Sequence, residues 1–177
     1  VTKASVTEDS APTAVGGVVA HDIDTNDVLS FSAANNGSGS YGSLSLDSST
    51  GEWTYTLDSS KVQILAEGQS ITDTISVLVS DNHGGSTATQ VVVTIYGSND
   101  APVIDAGTLA SGTLKEDVTL TATGTIVAHD VDTNDTLSYG VLNHGTGSYG
   151  QLSISSSGTW TYTLDNTSTT VQSLAAG

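Results

Sequence analysis

A phrase written twice constrains this chain more than any other feature: Ala20-His21-Asp22-Ile23-Asp24-Thr25-Asn26-Asp27 returns as Ala128-His129-Asp130-Val131-Asp132-Thr133-Asn134-Asp135. Asp22 and Asp130 lie 108 positions apart, as do Glu8 and Glu116, and Tyr41 and Tyr149. Later matches drift to 107 for Trp53 and Trp160 and to 109 for Leu65 and Leu174, as happens when loops change length while strands hold. A period this long exceeds the ~20–50 residues of solenoid and propeller units, so each copy should own a core. The expected division is a first β-sandwich repeat over 1–98 and a second over 99–177. Gly177 aligns with Gly68, so the second copy should lack the counterpart of Gln69 to Tyr96, and the chain reads as a fragment of a longer array. The incomplete unit would be loosely packed or completed by strands from another molecule. A permuted unit over 69–177 is the alternative, and it would leave the first segment incomplete instead.

Nineteen acidic residues stand against three lysines (Lys3, Lys61 and Lys115), for a net charge of −16. Such a surface repels phosphate backbones and anionic lipid, which argues against nucleic-acid partners and membrane-surface binding. No long apolar span, signal peptide or lipidation motif occurs, so no membrane insertion is expected in this segment. With no cysteine, neither a disulfide framework nor a thiolate zinc site is available. Disorder is the bland alternative for an acidic, Ser- and Gly-rich chain, and the repeated aromatic and β-branched runs argue against it.

Strand signals dominate. Trp53-Thr54-Tyr55-Thr56-Leu57 and Trp160-Thr161-Tyr162-Thr163-Leu164 alternate large apolar residues with threonine, the period of a half-buried strand. Ile71 to Val79 and Val91 to Tyr96, connected by Asp81-Asn82-His83-Gly84-Gly85, are the strongest further strands. Leu44-Ser45-Leu46 with Leu152-Ser153-Ile154, and Val15 to Ala20 with Thr125 to Ala128, supply others. One helical turn is expected at Val62 to Ala66 and another at Val171 to Ala175. Short strands punctuated by turns every ~8–12 residues predict an all-β chain of tandem β-sandwiches.

The repeated acids carry the chemistry. Calcium (Ca2+) takes about 6–8 oxygen ligands, usually several carboxylates with carbonyls and water. Asp22 and Asp24 can reach one ion only if the backbone leaves the extended form, because strand side chains alternate faces, and Thr25-Asn26-Asp27 provides a turn. The second copy offers Asp130, Asp132, Asn134 and Asp135, and the joint at Gly97 to Pro102 offers Asn99 and Asp100. The competing reading is that these aspartates only make Asx-turns and solubilise loop tips. Two Gly-rich stretches, Gly37 to Gly42 and Gly145 to Gly150, fit a dinucleotide pattern but lead into strands, so they read as flexible loops. His21 and His129 adjoin the acids, yet calcium's preference for oxygen favours loop or supporting roles for them. No nucleophile-elbow sequence accompanies the abundant Ser, His and Asp, and no enzyme is expected. Asn36-Gly37-Ser38, Asn134-Asp135-Thr136 and Asn166-Thr167-Ser168 match the glycosylation sequon.

Taken together, Glu8-Asp9, Ala20 to Asp24, Tyr41-Gly42, Trp53 to Asp58, Leu65 to Gly68, Asp81 to Gly85 and Asn99-Asp100-Ala101-Pro102 resemble the VCBS repeat of very large bacterial surface proteins and RTX-type adhesins. The Ala-x-Asp-x-Asp signature and the Asn-Asp-x-x-Pro-like joint are more distantly similar to cadherin domains, which bind calcium between consecutive units. The calcium-binding nonapeptide of the RTX roll is absent, as is a clear Leu-Asp-Arg-Glu-like element near the end of the first unit. The resemblance implies immunoglobulin-like or cadherin-like Greek-key folds in a secreted or surface-displayed stalk for attachment or biofilm formation. It places Asp130 and Asp132 beside Asn99 and Asp100, with Glu8 or Asp9 approaching from the first unit and Glu116 as the counterpart of Glu8. Asp81 is expected to join Asp22 and Asp24. The implied partners are neighbouring repeats of the same chain, with a homodimer by strand exchange as a further possibility. Two other readings stay open: a carbohydrate-binding module using Trp53, Tyr55, Trp160 and Tyr162 as a stacking face, and a self-associating repeat.

Overall fold

The computed structural model describes residues 1–174; where a helical turn is expected at Val171 to Ala175 a short helix spans Thr169–Gln172, while Ala175 and the repeat end at Gly177 lie outside the described residues. The chain divides into two compact units, the first comprising Val1–Asp100 with Val131–Asn134 and the second Ala101–Asp130 with Asp135–Gly177.

The first unit is a seven-stranded sandwich. Its strands are β1 (Thr2–Thr7), β2 (Thr13–Gly17), β3 (Ser30–Ala33), β4 (Gly42–Leu46), β5 (Glu52–Leu57), β6 (Ser70–Ser80) and β7 (Ser86–Tyr96). One sheet runs β1-β7-β6-β3 and the other β2-β5-β4. The β6–β7 hairpin pairs over all eleven residues of each strand, from Ser70 opposite Tyr96 to Ser80 opposite Ser86. β1 lies parallel to β7, which covers an edge the hairpin would otherwise leave open. The alternation read in the sequence sets which side chains turn inward. Trp53, Tyr55 and Leu57 from β5 meet Ile75, Val77 and Val79 from β6 and Val91, Val93 and Ile95 from β7 in one core. Burial of Trp53 and Tyr55 leaves no stacking face for sugars at that site.

Two expectations change in detail. The segment Val15 to Ala20 is a strand only as far as Gly17, because the backbone turns toward the acidic loop once Val18 has entered the core. Its twin is likewise broken: β9 spans Thr121–Thr125 and a separate two-residue β10 spans Ala128–His129.

In the second unit β9 joins β11 (Gly150–Ile154) and β12 (Thr159–Leu164) in a sheet ordered β11-β12-β9. Antiparallel β10 pairs with β8 (Val103–Ile104). The sheet repeats the β2-β5-β4 arrangement of the first unit, with Trp160 buried and its indole N–H donating to the Leu109 carbonyl at 2.6 Å. Among the described residues no helix is long and apolar enough to cross a membrane.

Candidate metal centres

Three acidic groups emerge. In the first unit the carboxylates of Asp22, Asp27 and Asp81 offer oxygens within 4.8 Å of one another. They are gathered by the loops that follow β2 and β6. Asp81 sits at the start of the β6–β7 connection, where its Oδ1 accepts the N–H groups of His83 (2.7 Å) and Gly85 (2.8 Å). Those backbone donors hold its carboxyl below the usual range. Asn82 Oδ1 accepts the Val28 N–H at 3.2 Å and so ties the two loops together. Asp24 lies outside this set: its N–H donates to Asp22 Oδ1 at 3.0 Å, an Asx-turn that directs the chain back and brings Asp27 to the place expected for Asp24. The imidazole Nδ1 of His83 lies 2.7 Å from Asp27 Oδ1. The resemblance placed Asp24 with Asp22 and Asp81; the acids that lie within reach of one another here are Asp22, Asp27 and Asp81.

The second group is the stretch from 130 to 135, where Asp130, Asp132 and Asp135 likewise offer oxygens within 4.8 Å. Asn134 in this stretch has φ of 74°, the left-handed region that asparagine tolerates, so the turn curls the acids together. Asp135, which the sequence offers beside Asp130 and Asp132, completes this group. His129 instead directs Nδ1 to Asp105 Oδ1 at 2.6 Å.

The third group surrounds Glu8. After β1 the chain makes a tight turn, with Asp9 at φ 57° and Thr7 bridged to Ala11, that folds the Glu8 side chain inward until it is fully buried. Glu8 Oε1 accepts the Ser98 N–H at 2.8 Å, whereas the buried Oε2 has no hydrogen-bond partner. Burial raises its pKa, the Ser98 N–H opposes that, and the charges of Asp9, Asp100 and Asp132 raise it further, for a net upward shift. The Asp100 N–H donates to Asp132 Oδ2 at 2.8 Å, and Asn99 donates its amide to the Asp100 carbonyl. Asp9 remains exposed and accepts from the Gln63 amide at 3.2 Å. Glu116 occupies the matching turn of the second unit, where Asp117 has φ 59° and Lys115 bridges Thr119; its Oε2 is also buried and unpartnered.

A buried carboxylate oxygen with no donor is costly unless a cation meets it. Hard oxygen donors without sulfur or a committed imidazole suit Ca2+ in particular, so the residues present fit that ion.

One polar centre has no echo in the ligand expectations. Asp73, 2% exposed, lies within β6 and accepts the N–H groups of Ser40 (3.0 Å), Tyr41 (3.0 Å) and Thr74 (3.0 Å) and the Tyr55 hydroxyl (2.9 Å). Burial pushes its pKa up, but the four donors outweigh it and the net shift is downward. The signal was present in the sequence: Asp73 falls in the inward phase of Ile71, Ile75, Val77 and Val79. The glycine-rich stretch expected to be flexible is thereby pinned around a carboxylate, since Gly39 passes so close to Asp73 that a Cβ there would collide with it.

The profile of the bacterial cadherin-like domain matches residues 1–97 and again 99–176, and the chain belongs to that family. Among solved structures, mouse cadherin-23 EC22-24 superposes with a TM-score of 0.56 at 20% identity, over 93% of this chain and 52% of that one. The protocadherin gamma B2 extracellular cadherin domains 3-6 give the same score and identity, over 93% of this chain and 36% of that one. The chain therefore spans about half or less of the length of these structures, and the likeness carries the cadherin-like β-sandwich fold. A comparison with curated proteins returns no match.

Proposed function

We propose that the chain is a non-catalytic extender segment of a large secreted or surface-anchored bacterial adhesin of the VCBS and RTX type. Its repeats, 1–98 and 99–177, are stiffened by Ca2+ at their ends and at the joint, and they space a distal adhesive domain from the cell for attachment or biofilm formation. The observation that carries the reading is Glu8: a fully buried carboxylate, one oxygen without a donor, set among Asp9, Asp100 and Asp132. Membership of the bacterial cadherin-like family supports an extracellular adhesion-type role.

Glu8, Asp100 and Asp132 would hold one ion, with Asn99 and Asp130 as further oxygen donors. Asp22, Asp27 and Asp81 would hold another, and Glu116 is the matching acid of the second repeat. When bound, the ion supplies positive charge that cancels the repulsion among these carboxylates. The chain's own residues do the rest: Asn82 ties the loops, Ser98 orients Glu8, and the Asp100 N–H fixes Asp132. Extracellular sites of this kind often bind at ~10⁻⁴–10⁻³ M, so they would be filled outside a cell and empty in cytosol. Isothermal titration with Ca2+ and Mg2+ tests the reading. Saturable, calcium-selective heat that Glu8→Gln reduces is expected, and its absence would leave the aspartates as solvated turn residues.

A further inference from the structure

We infer that the turn over residues 62–66 is a metal-independent platform for the Glu8, Asp100 and Asp132 group, and that Thr133 is the positioning residue through which it acts on Asp132. The inference rests on the calcium reading of that group and adds what holds its acids in place before an ion arrives. Val62 and Leu65 are buried in the core of the first unit, and the Leu65 N–H donates to the Val62 carbonyl at 2.9 Å. The turn is therefore anchored from within. Ile64, between them, is exposed and contributes its backbone carbonyl.

Each acid-bearing segment of the group meets this turn. Val131–Asn134 packs as part of the first unit and brings Thr133 onto Ile64, where the Thr133 N–H (3.1 Å) and its hydroxyl (2.7 Å) both donate to the Ile64 carbonyl. Asp132, the residue before it, is buried and accepts the Asp100 N–H. Gln63 donates its amide to Asp9 Oδ1 at 3.2 Å and so braces the turn that folds Glu8 inward. Gly97 passes so close to the Leu65 and Ala66 carbonyls that a Cβ there would collide with them, and the next residue, Ser98, gives its N–H to Glu8. One turn thus fixes the backbone beside Glu8, ahead of Asp100 and beside Asp132, although none of residues 62–66 carries a carboxylate. The glutamine contact returns in the second unit, where Val171 is buried and Gln172 Nε2 lies 3.4 Å from Asp117 Oδ1, next to Glu116. Groups that orient ligands without touching the ion commonly change metal affinity about 10–100-fold, because acids already in place need no ordering when it binds. Of the two donors on Ile64, the N–H belongs to any residue but proline, whereas the hydroxyl is particular to Thr133 and would be kept by serine and lost in valine.

The test follows amide resonances of the full 177-residue chain by NMR for the parent, Thr133→Val and Thr133→Ser, first in EDTA and then on titration with Ca2+. In EDTA the Asp100 amide, which donates to Asp132, is expected to exchange about tenfold faster in Thr133→Val and to return to within about twofold of the parent in Thr133→Ser. The Gly85 amide, which donates to Asp81 in the same unit, is expected to stay unchanged in both variants, and this separates positioning from general loosening. With calcium, the midpoint read at Ser98 and Asp100 should rise about tenfold in Thr133→Val and recover in Thr133→Ser, while the midpoint at Gly85 holds. Absence of any calcium response in the parent would overturn the calcium reading alone, and exchange in EDTA would then decide the platform by itself. Equal Asp100 exchange in the parent and Thr133→Val, a matching acceleration at Gly85, or a loss that serine does not restore overturns the proposal. So does a calcium midpoint at Ser98 that Thr133→Val leaves where it was.

Discussion

Asp73 and Glu8 are both buried carboxylates, yet their environments push them in opposite directions. Asp73 has four donors and is held ionised, so its folded pKa lies below the ordinary 3.8. A group depressed in this way contributes stability that is present above pH ~4 and is lost as pH falls through the folded value. Acid titration of unfolding should therefore show a loss below pH ~4 that Asp73→Asn largely removes. At neutral pH Asp73→Ala should cost about 3–5 kcal/mol in chemical denaturation, since it strands buried donors, and Tyr55→Phe about 1–2 kcal/mol. Glu8 carries the opposite sign. Its folded pKa is raised, so in metal-free protein stability is lost as pH rises from the ordinary 4.5 through the folded value. Glu8→Gln should accordingly melt higher than the parent in EDTA at pH 7 and respond less to calcium. Equal melting of the two in EDTA would contradict the strain assigned to Glu8.

At the scale of elements, most strands were legible because one face of each sheet is buried, which writes a period of two into β4, β5, β6, β7, β11 and β12. The short pieces near the acidic loops were not, because Val15 to Ala20 and Thr125 to Ala128 continue an apolar run while the chain turns. Nothing in β propensity marks such a turn; it comes from Asx bonds and tertiary packing. The same limit hid Asp27 as a member of the first acidic group, since its proximity to Asp22 and Asp81 follows from the Asp22 turn rather than from spacing. The tight turn before β4 depends on glycine: Gly37 has φ 79° and its missing Cβ makes room for the Leu44 carbonyl, as Gly145 does for Leu152. Gly37→Ala and Gly145→Ala should each cost about 1–3 kcal/mol, read as a lower denaturation midpoint with an unchanged slope.

For the whole molecule, the internal repeat and its alternating strands made the fold class and the two copies visible before any geometry, and the net charge of −16 argued against nucleic-acid and anionic-membrane partners. The two units differ in burial: the first closes two sheets over a core that includes Ile75, Val93 and Ile95, while the second keeps Leu152 and Tyr162 only half-covered. Hydrogen exchange should accordingly find slow amides in β6 and β7 and faster exchange throughout β9, β11 and β12. The central claim, calcium held by buried and clustered carboxylates, is tested most directly by thermal unfolding in EDTA, in 5 mM Mg2+ and in 5 mM Ca2+, for the parent chain, for Glu8→Gln and for Asp22→Asn with Asp81→Asn. With dissociation constants of ~10⁻⁴–10⁻³ M, each site adds about 1–2 kcal/mol at that concentration, a rise of roughly 5–15 °C. The account predicts such a rise with calcium alone, reduced in both variants. Identical melting in EDTA and calcium, or a rise that neither variant alters, would contradict it.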